Sequence, residues 1–170
     1  LHWMGHENVA VLDGGFAVWV ASGYPVNSQI PKQKSSQFTP KIQTQMVATA
    51  NDVLSHFGDP GYMLVDSRAP ERYLGVEEPI DPVAGRIPGA VNYPFEKNID
   101  ANSNFQLKQI LKGRFASLFG GIPTTHVTFY CGSGVTAAVN ILAVFHSGLG
   151  MPQLYAGSWS EWITDPDRPI

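Results

Sequence analysis

The feature that most restricts the fold of this chain is the regular alternation, from Met46 to Ile170, of short apolar runs with helix-length segments. A helix is expected near Thr49 to Phe57, with Thr49 as cap and Gly58 as stop, followed by the apolar strand Tyr62 to Val65 ending on Asp66. A short helix follows at Pro70 to Leu74, and the stretch Gly75 to Asn92, rich in Pro and Gly, reads as a long loop. An amphipathic helix near Leu107 to Phe119, a strand at His126 to Tyr130, a helix from Val135 to Ser147, a strand from Gln153 to Tyr155 and a short terminal helix complete the series. Strands that alternate with helices imply an α/β fold, a parallel sheet flanked by helices on both faces. In such sheets functional sites lie at the carboxyl ends of the strands.

The leading segment is different. Val9 to Leu12 reads as a short strand, Asp13-Gly14-Gly15 as a turn, and Phe16 to Ser22 as a helix closed by Gly23. Residues 27–45 hold Ser, Gln, Lys and Pro with little periodicity, as an interdomain linker does. The run Asp13-Gly-Gly-Phe-Ala-Val-Trp19 is echoed by Ala156-Gly-Ser-Trp-Ser-Glu-Trp162, and Tyr24-Pro-Val26 by Arg168-Pro-Ile170. Two ends that close the same kind of unit suggest a tandem duplication, with residues 1–26 the tail of a first copy, 27–45 the linker and 46–170 the second copy.

With 44% hydrophobic and 15% charged residues in 170, the chain can bury a full core. A net charge of -3 with scattered Lys and Arg argues against nucleic acid as a partner and leaves room for a small anion held by one or two arginines. The longest apolar stretch, around Val135 to Phe145, is broken by Asn140 and is too short to span a bilayer, so no membrane association is expected. Residue 1 is Leu, which looks like a cut inside a longer protein; the cytoplasm is the expected location, with an upstream targeting signal left open. One cysteine excludes an internal disulfide or a multi-thiolate zinc site. The five histidines offer no metal set, because Asp52 and His56 share a helix face without further ligands.

That cysteine, Cys131, follows directly on the strand ending at Tyr130, and Gly132-Ser133-Gly134-Val135-Thr136 separates it from an Ala-rich helix start. A lone cysteine can be a small buried hydrophobe. Two glycines within three residues, however, let backbone N–H groups converge, and the positive end of the next helix favours a negative charge there. The pattern therefore points to a nucleophile. Cysteine phosphatases use a comparable loop but need an Arg to clamp phosphate where this chain has Ala137, and a short loop of roughly six residues suits a single sulfur atom bonded to Sγ as cargo.

Cys131-Gly-Ser-Gly-Val-Thr-Ala137 resembles the active-site loop of the mercaptopyruvate branch of the rhodanese-like sulfurtransferase superfamily. Leu64-Val-Asp-Ser-Arg68 with Glu71-Arg-Tyr73, Gly85-Arg-Ile-Pro-Gly-Ala-Val-Asn92 and Tyr155-Ala-Gly-Ser-Trp-Ser-Glu-Trp162 resemble further motifs of that family, in order. The resemblance implies a rhodanese-like domain, the C-terminal catalytic half of a two-domain enzyme, preceded by the tail of an inactive first domain. It implies Cys131 as the persulfide-forming catalytic residue and Ser133 as a second catalytic residue, which acts in relatives with an Asp and a His of the first domain. Arg72 would hold the anionic end of the donor, and Gly132, Gly134, Val135 and Thr136 would line the substrate, with Asp66 and Arg68 as structural support. A second arginine common in mercaptopyruvate members falls near Ile80 and Asp81 here, which leaves donor identity open. Arg86 matches a position before the Ile-Pro-Gly turn and is read as structural. Trp159 and Trp162 are read as packing residues and Glu161 as solvent-facing.

The resemblance further implies transfer of a sulfane sulfur from 3-mercaptopyruvate to a thiol or to cyanide, without a cofactor or metal, with a thioredoxin-like protein as one candidate thiol acceptor. The alternatives are a thiosulfate:cyanide sulfurtransferase, against which the neutral Gly132-Ser133 pair speaks, and a non-catalytic rhodanese binding module, in which the cysteine is commonly lost.

Overall fold

The computed structural model describes residues 1–170. Its centre is a five-stranded, wholly parallel sheet of β1 (Val47–Ala48), β2 (Met63–Asp66), β3 (Val91–Asn92), β4 (Val127–Tyr130) and β5 (Gln153–Tyr155), in the order β1-β5-β4-β2-β3. The helices are α1 (Gly15–Ala21), α2 (Ala50–Ser55), α3 (Pro70–Tyr73), α4 (Lys108–Phe119), α5 (Val135–Ser147) and α6 (Ser158–Trp162). No helix is long and apolar enough to cross a membrane.

The period-2 geometry of the strands sorts the core into two layers. Val65, Val127, Phe129 and Cys131 face one cluster, which Leu111, Phe115 and Phe119 of α4 and Ala137, Ala143 and Val144 of α5 complete. Leu64, Tyr130 and Tyr155 face the other, with Val53 of α2 and Trp159 and Trp162 of α6. Both indoles are fully buried, as expected for packing residues. From β2 the chain moves outward to β3, and from β4 in the opposite direction to β5, so the β2–β4 pair forms the switch point of the sheet. Asp66 and Cys131 stand at the carboxyl ends of these two strands, the place where sheets of this kind carry their sites.

Local signals set several boundaries. Thr49 and Asp52 form a capping box at α2, in which the Thr49 hydroxyl accepts from the Asp52 N–H (3.2 Å) and the Thr49 N–H donates to Asp52 Oδ2 (2.7 Å). Hydrogen bonds from Thr49 hold the Asp52 carboxyl below its ordinary value, so this aspartate is committed to the cap. Asn140, the polar break in the apolar run of α5, is fully buried; its amide donates to Ser67 Oγ (2.8 Å) and Tyr93 O (2.9 Å), wiring α5 to the ends of β2 and β3.

Three expectations need correction. Val9 to Leu12 is not a strand: no neighbouring strand pairs with it, and Val9 and Val11 instead line an apolar groove with Ile141, Leu142 and Phe145 of α5. The segment 75–92 is not wholly loop, because its last two residues form β3 beside β2. Val47–Ala48, unexpected from the sequence, pairs with β5 as the other edge. The two Gly-Trp turns share part of their geometry and differ at the first glycine, left-handed at Gly14 (φ 75°) and right-handed at Gly157 (φ −62°). Gly15 and Ser158, at equivalent places, both have positive φ (67° and 55°). The Trp19 indole donates to Pro25 O (3.1 Å) and the Trp162 indole to Pro169 O (2.9 Å).

Candidate active site

Strand β4 delivers Cys131 to the end of the sheet, and the helix α5 begins four residues later, after Gly134 as N-cap. Gly134 is needed twice. Its φ is +80°, and a Cβ there would stand 2.7 Å from Ala156 O, so the loop closes tightly onto the turn between β5 and α6. None of the backbone N–H groups from Gly132 to Ala137 donates to an acceptor in the protein; the first to do so is Ala138, to Gly134 O (3.3 Å). Six successive donors at the positive end of a thirteen-residue helix make a cradle for negative charge. Cys131 retains only 2% exposure, which would suit a small apolar residue equally well; the unpaired donors around it distinguish the two readings.

The turn from β5 into α6 clamps the base of this loop. The Ser158 hydroxyl accepts from the Cys131 N–H (3.1 Å) and donates to Tyr155 O (2.9 Å). The Trp159 N–H donates to Cys131 O (3.0 Å), and the Ser160 N–H to Gly132 O (2.9 Å). Ser158 does this from the left-handed region, at φ 55°, a conformation that costs an ordinary residue about 1–2 kcal/mol. Such strain persists where the surroundings hold it.

Above the loop lies Arg72 of α3. A Cβ built on Gly132 would be 3.4 Å from both Nη1 and Nη2 of Arg72, an ordinary contact distance, so the guanidinium rests directly on the loop. Arg72 is not a solvated surface charge, since its side chain is only 16% exposed. Its Nε and Nη2 donate to Glu78 (2.7 Å at the shortest) and Nη2 also to Asp81 (3.0 Å), while Nη1 makes no hydrogen bond within the protein. Asp66 and Arg68 form a fully buried bidentate pair beneath, and Arg68 reaches Glu78 (3.3 Å) and Gly85 O (2.7 Å). They thus brace the 75–86 loop that carries the partners of Arg72, rather than the Cys131 loop itself. Burial pushes the Glu78 carboxyl up, but the Arg72 hydrogen bond and charge and the N–H groups of Asp81 and Ile80 pull it below its ordinary value. Burial, with the charge of Asp66, pushes the Tyr130 phenol well up, so it stays neutral.

The remaining expected residues divide. Ser133 is exposed and its hydroxyl is free of protein partners. Val135 (70% exposed) and Thr136 contribute backbone N–H groups and no side-chain hydrogen bond. Arg86 stacks on the Tyr73 ring (4.7 Å), a structural placement. Glu161 is exposed, with its carboxylate folded over Gly157. Sequence reasoning missed Ser158, Ser160, Glu78 and Asp81 as neighbours of the loop. Ser158 had a signal, the place it shares with Gly15 in the echoed turn; the two acids lie in a loop without periodicity and had none.

A parallel α/β sheet with a glycine-rich cysteine loop at its switch point places the chain in the class of cysteine-loop α/β domains. More specifically, it belongs to the rhodanese-like domain family, whose model matches residues 49–165. It is 42% identical over 171 residues to a Pseudomonas aeruginosa protein named "Probable 3-mercaptopyruvate sulfurtransferase", covering 100% of this chain and 60% of the relative. It is 34% identical over 172 residues to a thiosulfate sulfurtransferase of Rattus norvegicus, covering 95% and 56% respectively. The chain therefore spans somewhat under two thirds of the length of these curated relatives. An anaerobic ergothioneine biosynthesis enzyme from Chlorobium limicola, solved with trimethyl histidine, shares the fold with a TM-score of 0.86 at 24% identity, over 99% of this chain and 42% of the other.

Proposed function

We propose that this chain carries the sulfur-accepting half of a sulfurtransferase that takes a sulfane sulfur from 3-mercaptopyruvate on Cys131. The observation that carries the reading is the set of six N–H groups, Gly132 to Ala137, left without protein acceptors after Cys131, in a loop on which Arg72 rests at Gly132. The Cys131 thiolate attacks the sulfur of the donor. An S–S bond forms, the donor C–S bond breaks, and the electron pair leaves on carbon as the enolate of pyruvate, which takes up a proton. The persulfide anion lies where the loop N–H groups can hold its charge. Ser133, whose hydroxyl is exposed, would assist the leaving enolate. An acceptor thiol, of the thioredoxin type or smaller, or cyanide then removes the outer sulfur and returns the Cys131 thiolate. The low exposure of Cys131 protects the persulfide from solvent between the two steps.

Residues 1–26 are read as the tail of a first copy of the same domain and 27–45 as the linker. The paired left-handed residues Gly15 and Ser158 and the paired indole-to-carbonyl bonds support this reading. Thiosulfate as donor is the second reading, favoured by the thiosulfate sulfurtransferase relative. Steady-state assays with both donors and cyanide, on the wild type and Cys131→Ser, test the proposal. Thiocyanate formation that depends on Cys131 is expected, and equal rates in both proteins would end it.

A further inference from the structure

The charge beside the Cys131 loop carries a consequence for the choice of donor. Asp66, Arg68, Glu78, Arg72 and Asp81 form one connected ion-pair chain, joined at 2.7 Å (Arg68–Asp66), 3.3 Å (Arg68–Glu78), 2.7 Å (Arg72–Glu78) and 3.0 Å (Arg72–Asp81). Three carboxylates against two guanidinium groups leave the chain with one net negative charge. All of its members are largely shielded from water, with Glu78 at 3% and Asp81 at 8% side-chain exposure, so salt and solvent screen these charges less than surface ones. Arg72, the only cation of the chain that lies on the loop, has spent Nε and Nη2 on acids, and its Nη1 alone stays open towards Gly132.

Asp81 is the member of the network bonded both to Arg72 and to the clamp under the loop. Oδ2 accepts from Arg72 (3.0 Å), and Oδ1 lies 2.7 Å from the Ser160 hydroxyl, which is equally 2.7 Å from Gly132 O and shares its one proton between them, while the Ser160 N–H donates to Gly132 O (2.9 Å). The carboxylate therefore touches both the arginine above the loop and the clamp below it. It is fixed there by the donation of its own N–H to Glu78 (3.1 Å). A donor that pairs with Arg72 Nη1 comes to an arginine whose other side is bound to a carboxylate, Asp81, that it does not fully neutralise. One carboxylate on the donor can pair with Nη1; a second negative charge meets Asp81.

We propose, on the footing that Cys131 is the sulfur-accepting thiol, that Asp81 is a specificity-determining residue: its charge restricts the site to monoanionic thiol donors of the 2-oxo-carboxylate class and turns away the dianion thiosulfate. Arg72 positions the donor, and Asp81 sets how much negative charge the donor can bring. The Ser160–Asp81 hydrogen bond holds that charge in place and does not itself discriminate.

The test is single-turnover sulfur loading of Cys131 in the whole 170-residue chain, followed by intact mass with mercaptopyruvate and with thiosulfate in separate reactions. Asp81→Asn keeps the shape and removes the charge. It should raise the thiosulfate-to-mercaptopyruvate rate ratio about tenfold, the effect of one unit charge on one additional charge at ~8 Å in an effective dielectric of ~30. Ser160→Ala keeps the charge and drops the tether, so both rates should fall together and the ratio should hold within about twofold. A ratio that Asp81→Asn leaves unchanged, with sulfur still loading, overturns the inference. If Asp81→Asn does not fold, Asp81→Ser, which also removes the charge, is read by the same rate ratio, and an unchanged ratio there overturns the inference. Absence of loading from either donor in the wild type would instead overturn the sulfur-accepting role of Cys131.

Discussion

Ser158 offers a perturbation in which stability and activity should part company. The residue is fully buried at φ 55°, and its hydroxyl is the partner of the Cys131 N–H (3.1 Å) and of Tyr155 O (2.9 Å). Ser158→Ala keeps the left-handed backbone and its cost of about 1–2 kcal/mol, and leaves a buried donor without an acceptor, which costs about 1–3 kcal/mol. Ser158→Gly loses the same hydrogen bonds but adopts the conformation freely, less the about 0.4–1 kcal/mol by which glycine loosens the unfolded chain. Both variants should be destabilised, Ala by about 2 kcal/mol and Gly by about 1 kcal/mol, a gap of about 2–4 °C in thermal midpoint for a chain of this size. Sulfur loading of Cys131 should slow to a similar extent in both, because both free its N–H. Urea unfolding and the loading rate, measured on the three proteins, separate the effects. Equal stabilities of the Ala and Gly variants would refute the strain argument, and an unchanged loading rate in either would show that the clamp does not position Cys131.

Two further outcomes follow from the ion-pair chain. Arg72→Ala should lower kcat/KM for the donor about 10- to 100-fold, the worth of about 1.5–3 kcal/mol for a charged hydrogen bond, and should also lower the thermal midpoint because Glu78 and Asp81 lose their partner; a lowered midpoint with unchanged kcat/KM would make Arg72 a structural cation only. The Glu78 carboxyl is held below its ordinary value in the fold, so it stabilises the protein above its unfolded pKa of about 4.3 and this contribution is lost as pH falls through the lower folded value. Glu78→Gln should therefore flatten the acid limb of the stability curve below about pH 4, and an identical acid limb in the variant would contradict the assigned cause.

What the sequence made legible was the part governed by local chemistry. The helix Val135–Ser147 and the strand Gln153–Tyr155 have the expected bounds, because glycines at 134 and 148 punctuate an apolar run and the strand that follows is short and clean. Thr49 as the cap of α2 follows from the same local logic. The edge strands β1 and β3 have two residues each, too few to show an alternation, and exist because β5 and β2 offer free edges. Conversely, Val9 to Leu12 has the composition of a strand and no partner to pair with. At the site, Cys131 and its glycines were legible because the loop is contiguous. The partners of Arg72 were not, because Glu78 and Asp81 reach it through a loop fold that Arg68 and Gly85 O hold from beneath.

The central claim is that Cys131 carries the transferred sulfur, and intact-mass spectrometry after donor treatment tests it most directly. One added sulfur, roughly 32 Da, removed by cyanide or a thiol reductant and located by peptide mapping on Cys131, is the predicted result. A chain whose mass is unchanged under donor concentrations that load a known sulfurtransferase, or whose added sulfur maps elsewhere or persists in Cys131→Ser, would contradict the account.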